Sequence, residues 1–331
     1  MKHSLNGKRV LFFYLSTFNY ENEIRVAMER EGAEVDAFNE RPTNNVFARI
    51  LIRLNRNMLS KYINKYYCEI IEKTKDIKYD FIFFIKGESI SPAIVQKLRD
   101  AHPEAKLVMY YWDSIANNHN AKSLLGCFDK VLSFDQSDCE AMNLKFLPLF
   151  YIPQYAEIAA NKVKQKYDLM FVGTTHSERY EFVNGIVNQI TKQGGKCFTW
   201  FYFPSKVNFY KHKIDNPRFR SAKVENFNFK PMSCEKLLNL YAESRIQIDM
   251  QHPKQTGLTM RTIETLGAKK KLITTNTHIV KYDFYTPENI LVVDRFNPFV
   301  PKEFLNEPWK EIPDEIYMKY SISSWLSTIF E

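Results

Sequence analysis

Five cysteines in 331 residues, Cys68, Cys127, Cys139, Cys197 and Cys234, are odd in number and too widely spaced to form a disulfide framework. None stands in a CxxC pair, which excludes the usual thiolate zinc sites and dithiol redox motifs. The seven histidines are equally scattered, with no HxH or HExxH spacing, so neither a metal nor another cofactor is expected. Long apolar runs are missing too. The purest, FIFFI at 81–85, falls far short of the roughly 20 residues that a membrane-spanning helix needs. The opening stretch MKHSLNGKRVLFFYLSTFNYENE has only a short apolar run and no small-residue cleavage site, so it reads as a first strand and not as a signal peptide. With reduced cysteines, this predicts a cytoplasmic protein. No internal repeat, low-complexity tract, Walker loop or GxGxxG fingerprint is present.

What is present is the composition of a folded protein. With 45% hydrophobic and 25% charged residues, disordered, collagen-like and coiled-coil classes are excluded, and the length suggests two domains, each able to bury a core. Net charge is +8 and the pI is near 9.0, which raises nucleic acid as a partner. No helix-turn-helix, zinc-finger, RRM or KH signature supports it, and the aromatics lie within strands, so no nucleic acid is expected.

Strand-like runs alternate with helical periodicity along the chain, the pattern of βα units on parallel sheets, so the fold class is α/β. Strands are predicted at 8–15, 33–38, 80–86, 106–112 and 130–135, then at 168–173, 196–203, 244–251, 270–276 and 289–294. Between them, 21–32 reads as a helix ending on Gly32, and 91–103 as one opened by Ser91 and Pro92. Residues 1–152 form the predicted N-terminal domain, 153–167 a linker, and 168–312 the C-terminal domain. Residues 313–331 form a last amphipathic helix, expected to pack back on the N-terminal domain.

In parallel sheets ligands bind beyond the carboxyl ends of strands. Glu88, Asp113 and Asp135 each follow a strand of the first half and are candidate acid–base groups, although Asp113 and Asp135 could equally cap the helices that come next. In the second half, Gly173 offers a tight turn, and Thr174, Thr175, His176 and Ser177 precede a helix start whose N–H groups could hold an anion. The strongest constellation is QHPKQTGLTMRTIETLGAKKKLITTN at 251–276: a strand end, a polar loop holding His252, and a helix capped by Thr259 and ending at Gly267. Met260 and Arg261 fill its first turn. A cation there opposes the helix dipole, which points to an anionic ligand, unless Arg261 simply pairs with Glu264 at i,i+3.

Residues 45–67 carry Arg49, Arg53, Arg56, Lys61 and Lys65 with no acid, and their apolar residues recur at helical spacing. A basic amphipathic helix of this kind suits an anionic membrane surface, while a core-packing helix with a solvated cationic face would look the same.

The elements DLMFVGTTHSER, HPKQTGLTMRTIETLGAKKKLITTN, NILVVDR, YYWDS and SFDQSDCE together resemble GT-B glycosyltransferases of bacterial capsule, exopolysaccharide and lipopolysaccharide synthesis, including the CgeB-like group. The resemblance implies two Rossmann-like domains facing each other across a cleft, a nucleotide-sugar donor in the C-terminal one and a glycan or polyprenol-linked acceptor in the other. It places Glu264 on the nucleotide ribose and Arg261 at the diphosphate, with Gly173, Thr174, Thr175, His176, His252, Thr259 and Met260 lining the donor site. Asp113 is the preferred acceptor base, with Asp135 and Glu88 as the others, and no metal is implied. Eight residues before Glu264 stands Thr256, where the retaining signature has a second glutamate, so no stereochemical outcome is carried over. The alternative function is a nucleotide-sugar-binding subunit that activates another transferase.

Overall fold

The computed structural model describes residues 5–17, 19–43, 59–118, 120–161, 163–175, 178–220, 222–252 and 256–331. Among them the strands are β1 (Arg9–Tyr14), β2 (Glu34–Asn39), β3 (Phe81–Ile85), β4 (Lys106–Tyr111), β5 (Lys130–Ser133), β6 (Lys145–Phe146), β7 (Tyr167–Thr174), β8 (Cys197–Tyr202), β9 (Phe227–Asn228), β10 (Ser244–Asp249), β11 (Lys271–Thr274) and β12 (Ile290–Val292). The α-helices are α1 (Tyr20–Arg30), α2 (Ser60–Thr74), α3 (Pro92–Ala101), α4 (Ala121–Leu124), α5 (Gln136–Met142), α6 (Pro153–Ala160), α7 (Arg179–Lys192), α8 (Lys206–Asp215), α9 (Cys234–Glu243), α10 (Met260–Gly267), α11 (Lys302–Asn306), α12 (Asp314–Lys319) and α13 (Ile322–Phe330).

The strands form two six-stranded sheets, ordered β2-β1-β3-β4-β5-β6 and β12-β11-β10-β7-β8-β9, and every pairing is parallel. The fold is therefore α/β with two Rossmann-like sheets. In each order the chain reverses direction across the sheet, between β1 and β3 and between β7 and β10, the kind of switch point at which ligands of parallel sheets generally bind. Two compact units result. One comprises Met1–Leu149, Gln255–Gly257 and Ile322–Glu331, the other Phe150–Lys254 and Leu258–Ser321.

The central strands β1, β3 and β4 are almost wholly apolar and buried, as strands covered on both faces are. In the first unit Leu11, Phe13, Phe84 and Tyr67 pack on one face, with Phe13 and Phe84 stacked at 4.3 Å. On the other face, Trp325 of α13 meets Tyr110 at 4.9 Å and Phe83 at 6.0 Å, and Phe330 meets Phe83 at 5.4 Å. Lys130 Nζ adds hydrogen bonds to the Thr328 and Ile329 carbonyls.

Three expectations need correction. The segment read as a linker forms helix α6 over Pro153–Ala160, with Tyr155 buried. The terminal helix is broken between α12 and α13, where Ser321 bridges to Tyr151. Most of the basic stretch, 45–58, lies outside the described residues, but in α2 Ile63 and Tyr67 turn inward and are buried in the first unit's core. Over that portion the apolar stripe is domain packing.

Because Trp325 is fully buried among aromatic rings, Trp325→Ala should lower stability by about 3–5 kcal/mol in urea unfolding. A loss below ~1 kcal/mol would show that α13 is dispensable to the first core.

Candidate functional site

At the switch point of the second sheet, β7 ends at Thr174 and β10 at Asp249. Asp249 is only 2% exposed, and its carboxylate organises the start of helix α10. One oxygen accepts the hydroxyls of Thr259 (2.8 Å) and Thr262 (3.1 Å), and the other lies 3.5 Å from the Arg261 guanidinium. Thr259 caps α10 through the Thr262 N–H, so the helix begins where its sequence signature put it. Arg261 also donates to the Val172 carbonyl at 2.6 Å and sits over the Phe171 ring at 5.3 Å. The cation at the helix start is thus balanced by a buried carboxylate.

Gly173 has a different role from the expected turn. It continues strand β7, in register with Phe201, and the left-handed glycines do not include it. A Cβ at this position would lie 3.0 Å from the Arg261 guanidinium and 3.0 Å from Phe171, so the missing side chain makes room for Arg261. Thr174 pairs with Tyr202, and the Thr175 N–H donates to the Tyr202 carbonyl. The backbone of these residues is engaged in the sheet. His176 and Ser177 lie outside the described residues.

Two further arginines stand beside Arg261, and neither was singled out from the sequence. Arg179, at the start of α7, donates to the Thr174 carbonyl at 2.9 Å and the Met250 carbonyl at 2.5 Å. Arg295, just past β12, donates to Glu178 at 3.1 Å and to the Gln251 carbonyl at 2.8 Å. Burial, then the charges of Arg261 and Arg295, pull the Arg179 guanidinium down to about 10 against the opposing pull of Asp249 and Glu178. It stays charged at neutral pH. Three guanidiniums share this edge with two carboxylates. Thr175, 2% exposed, has a hydroxyl with no partner, and the buried Arg179 Nε has none either. Buried donors left unpaired are costly, and each has room in its hydrogen-bonding capacity for an outside acceptor such as an anion.

Glu264 lies one turn along α10 and accepts the hydroxyl of the buried Tyr241 at 3.3 Å. Burial and the Glu264 charge push that phenol well above its ordinary range. His252 is exposed beyond β10, and Met260 is half-buried.

On the first sheet the three candidate carboxylates have different environments. Glu88 is buried in an ion pair with Arg41. Asp135 is buried at the N-cap of α5, accepting from the Ser137 N–H (3.0 Å), the Gly257 N–H (2.9 Å), and the Thr256 hydroxyl (2.5 Å) and N–H (3.3 Å). For Asp135 the capping alternative is the one these bonds describe. Asp113, part-exposed beyond β4, is held 3.0 Å from the Lys86 ammonium. Lys86 and Gly87 both have positive φ, and this turn aims the Gly87, Glu88 and Ser89 N–H groups at the buried Glu40. Burial raises the Glu40 carboxyl to about 7 despite those three donors. Sequence reasoning missed Glu40; its place directly after β2 was the available signal.

Neither a protein family nor a curated protein matches the sequence. Solved structures do match the fold. An α,α-trehalose-phosphate synthase (UDP-forming) from Burkholderia vietnamiensis aligns over 97% of this chain and 98% of its own, at 10% identity and a TM-score of 0.60. A glycosyltransferase from Rickettsia africae aligns over 97% and 96%, at 12% identity and TM-score 0.54. The UDP-GlcNAc 2-epimerase of Methanocaldococcus jannaschii aligns over 97% and 98%, at 12% identity and TM-score 0.53. At such identities the likeness is one of fold, the two-sheet α/β fold of the GT-B class.

Removing the Asp249 carboxylate leaves Arg261 and two threonine hydroxyls without their buried acceptor. Asp249→Ala should cost about 3–5 kcal/mol in urea unfolding, and Asp249→Asn, which keeps an acceptor oxygen, clearly less. Equal losses in the two variants would show that the charge is irrelevant there.

Proposed function

We propose that the chain is a glycosyltransferase that takes a sugar from a nucleotide-sugar donor, with the donor diphosphate at the Arg179, Arg261 and Arg295 edge. The observation that carries this is the set of three guanidiniums at the switch point of the second sheet, beside the unpartnered Thr175 hydroxyl and Arg179 Nε. Breaking the bond between sugar and diphosphate builds negative charge on the leaving group while the sugar becomes oxocarbenium-like. Fixed cations supply the stabilisation that a metal gives elsewhere, and no metal is needed in this reading. Glu264 would accept the ribose hydroxyls. Asp113, the most accessible of the three carboxylates, would take the acceptor proton, with Lys86 orienting it.

The acceptor is proposed to be a glycan or polyprenol-linked glycan of a surface polysaccharide, made on the inner face of the cell membrane. The sequence resemblance supports this class, and among the described residues no helix is long and apolar enough to cross a membrane. The alternative, a nucleotide-sugar-binding subunit without turnover, is favoured by the engagement of Glu88 and Asp135 in structural bonds.

Calorimetry with UDP, GDP, ADP and CMP compounds, followed by turnover with the matching donor, tests the proposal. Binding with transfer is the expected result; binding without transfer or hydrolysis gives the subunit, and no binding sinks both. Arg179→Ala, Arg261→Ala and Glu264→Gln should each weaken nucleotide binding by about 1–3 kcal/mol. Unchanged affinity in all three would remove the donor site from this edge. Asp113→Asn should abolish turnover while leaving nucleotide affinity intact, and full kcat in that variant would pass the base role to another group.

A further inference from the structure

Helix α8 (Lys206–Asp215) is built inside out. Its one fully buried residue is Phe209, set against Phe203 (5.6 Å), Phe219 (5.5 Å) and Phe227 (5.0 Å). The opposite face carries the large apolar side chains. Val207 is 76% exposed, Tyr210 53% and Ile214 76%. Spaced i, i+3 and i+7, they form a single stripe. The second core does not need that stripe, since Phe209 and the His212 ring, 4.8 Å from Phe219 and 5.8 Å from Phe203, make the inward contacts.

Cations surround it. Lys206 and Lys211 are exposed on the helix, and Lys213 donates to the Ala222 carbonyl at 2.8 Å, holding the next loop alongside. Arg220 and Lys223 on that loop are exposed too, and the nearby acids in sequence are Asp215 and Glu225. Isolated exposed apolar residues need no explanation, but a helical stripe of three rimmed by lysines has the chemistry of an interfacial helix. Val207 and Ile214 suit the acyl boundary, Tyr210 the headgroup level, and the lysines the anionic headgroups.

We propose that this face of α8 docks on an anionic lipid bilayer. The inference is independent of the donor-site reading, and its location differs from the basic stretch at 45–67.

The test is co-sedimentation of the full chain with phosphatidylcholine vesicles and with vesicles carrying phosphatidylglycerol. The parent should bind the anionic vesicles, bind the neutral ones far less, and release as salt rises. Lys206→Gln with Lys211→Gln should weaken binding about 30-fold, from roughly one kcal/mol per surface cation converted at room temperature. Val207→Ser with Ile214→Ser should weaken it about 10-fold or more. All four positions are exposed, so thermal unfolding should be unchanged, which separates lost docking from lost fold. Absence of vesicle binding by the parent overturns the proposal. So does parent-like binding by both double variants, which would put the contact elsewhere, including at 45–67. A parent that sediments as a dimer while Val207→Ser with Ile214→Ser sediments as a monomer would assign the face to a second copy of the chain, and that too overturns it.

Discussion

The second unit depends on one buried carboxylate. Asp249 closes β10 and takes two threonine hydroxyls and one guanidinium, so the start of α10, the position of Arg261 and the end of the strand are set by the same group. Without a buried anion, three arginines gathered on one sheet edge would repel one another in a medium that screens charge poorly. Asp249 and Glu178 hold Arg261 and Arg295 in place, and the carbonyls of Val172, Thr174, Met250 and Gln251 each accept a guanidinium N–H. Each guanidinium of the cluster is therefore held by protein acceptors alone. That is the condition under which fixed charges stabilise a leaving diphosphate without reorganising.

The first unit solves a different problem at its own switch point. There Glu40 turns inward from the end of β2 and gathers the N–H groups of a left-handed turn, while Arg41 neutralises Glu88. The acidic residues of this edge are mostly consumed in holding loops. Asp113 is the exception, kept at the surface and oriented by Lys86. The two edges thus differ in kind: one presents cations, with two buried donor atoms left unpaired, and the other presents one oriented carboxylate.

Much of this was legible in the sequence. Parallel strands covered on both faces read as continuous apolar runs, which is why ten strands were located within a few residues of their ends. The two that were missed, β6 and β9, are two residues long and carry no period to detect. The Thr259 cap and the Gly267 end of α10 followed from local capping chemistry. Gly173 was misread because a glycine after an apolar run suggests a turn, and only the three-dimensional approach of Arg261 reveals that the missing Cβ is what matters. Arg179 and Arg295 went unnoticed for a related reason. Each follows a strand as one charged residue among several, and their convergence with Arg261 depends on a strand order that puts β7 beside β10. Periodicity identifies strands, but it does not order them.

Strand order also explains why the proposed donor site lies at β7 and β10 and not elsewhere on the second sheet. At every other pair of neighbours, successive connections run in the same direction and cover the gap above the strand ends. Between β7 and β10 they diverge, leaving that gap open. The first residues past these two strands can then face a ligand without a helix in the way. The sequence fills them with Thr175 and Arg179 on one side and with the helix bearing Arg261 and Glu264 on the other. Polar atoms concentrated where the topology leaves space, and unpaired where burial makes that costly, are the features on which the proposed site rests.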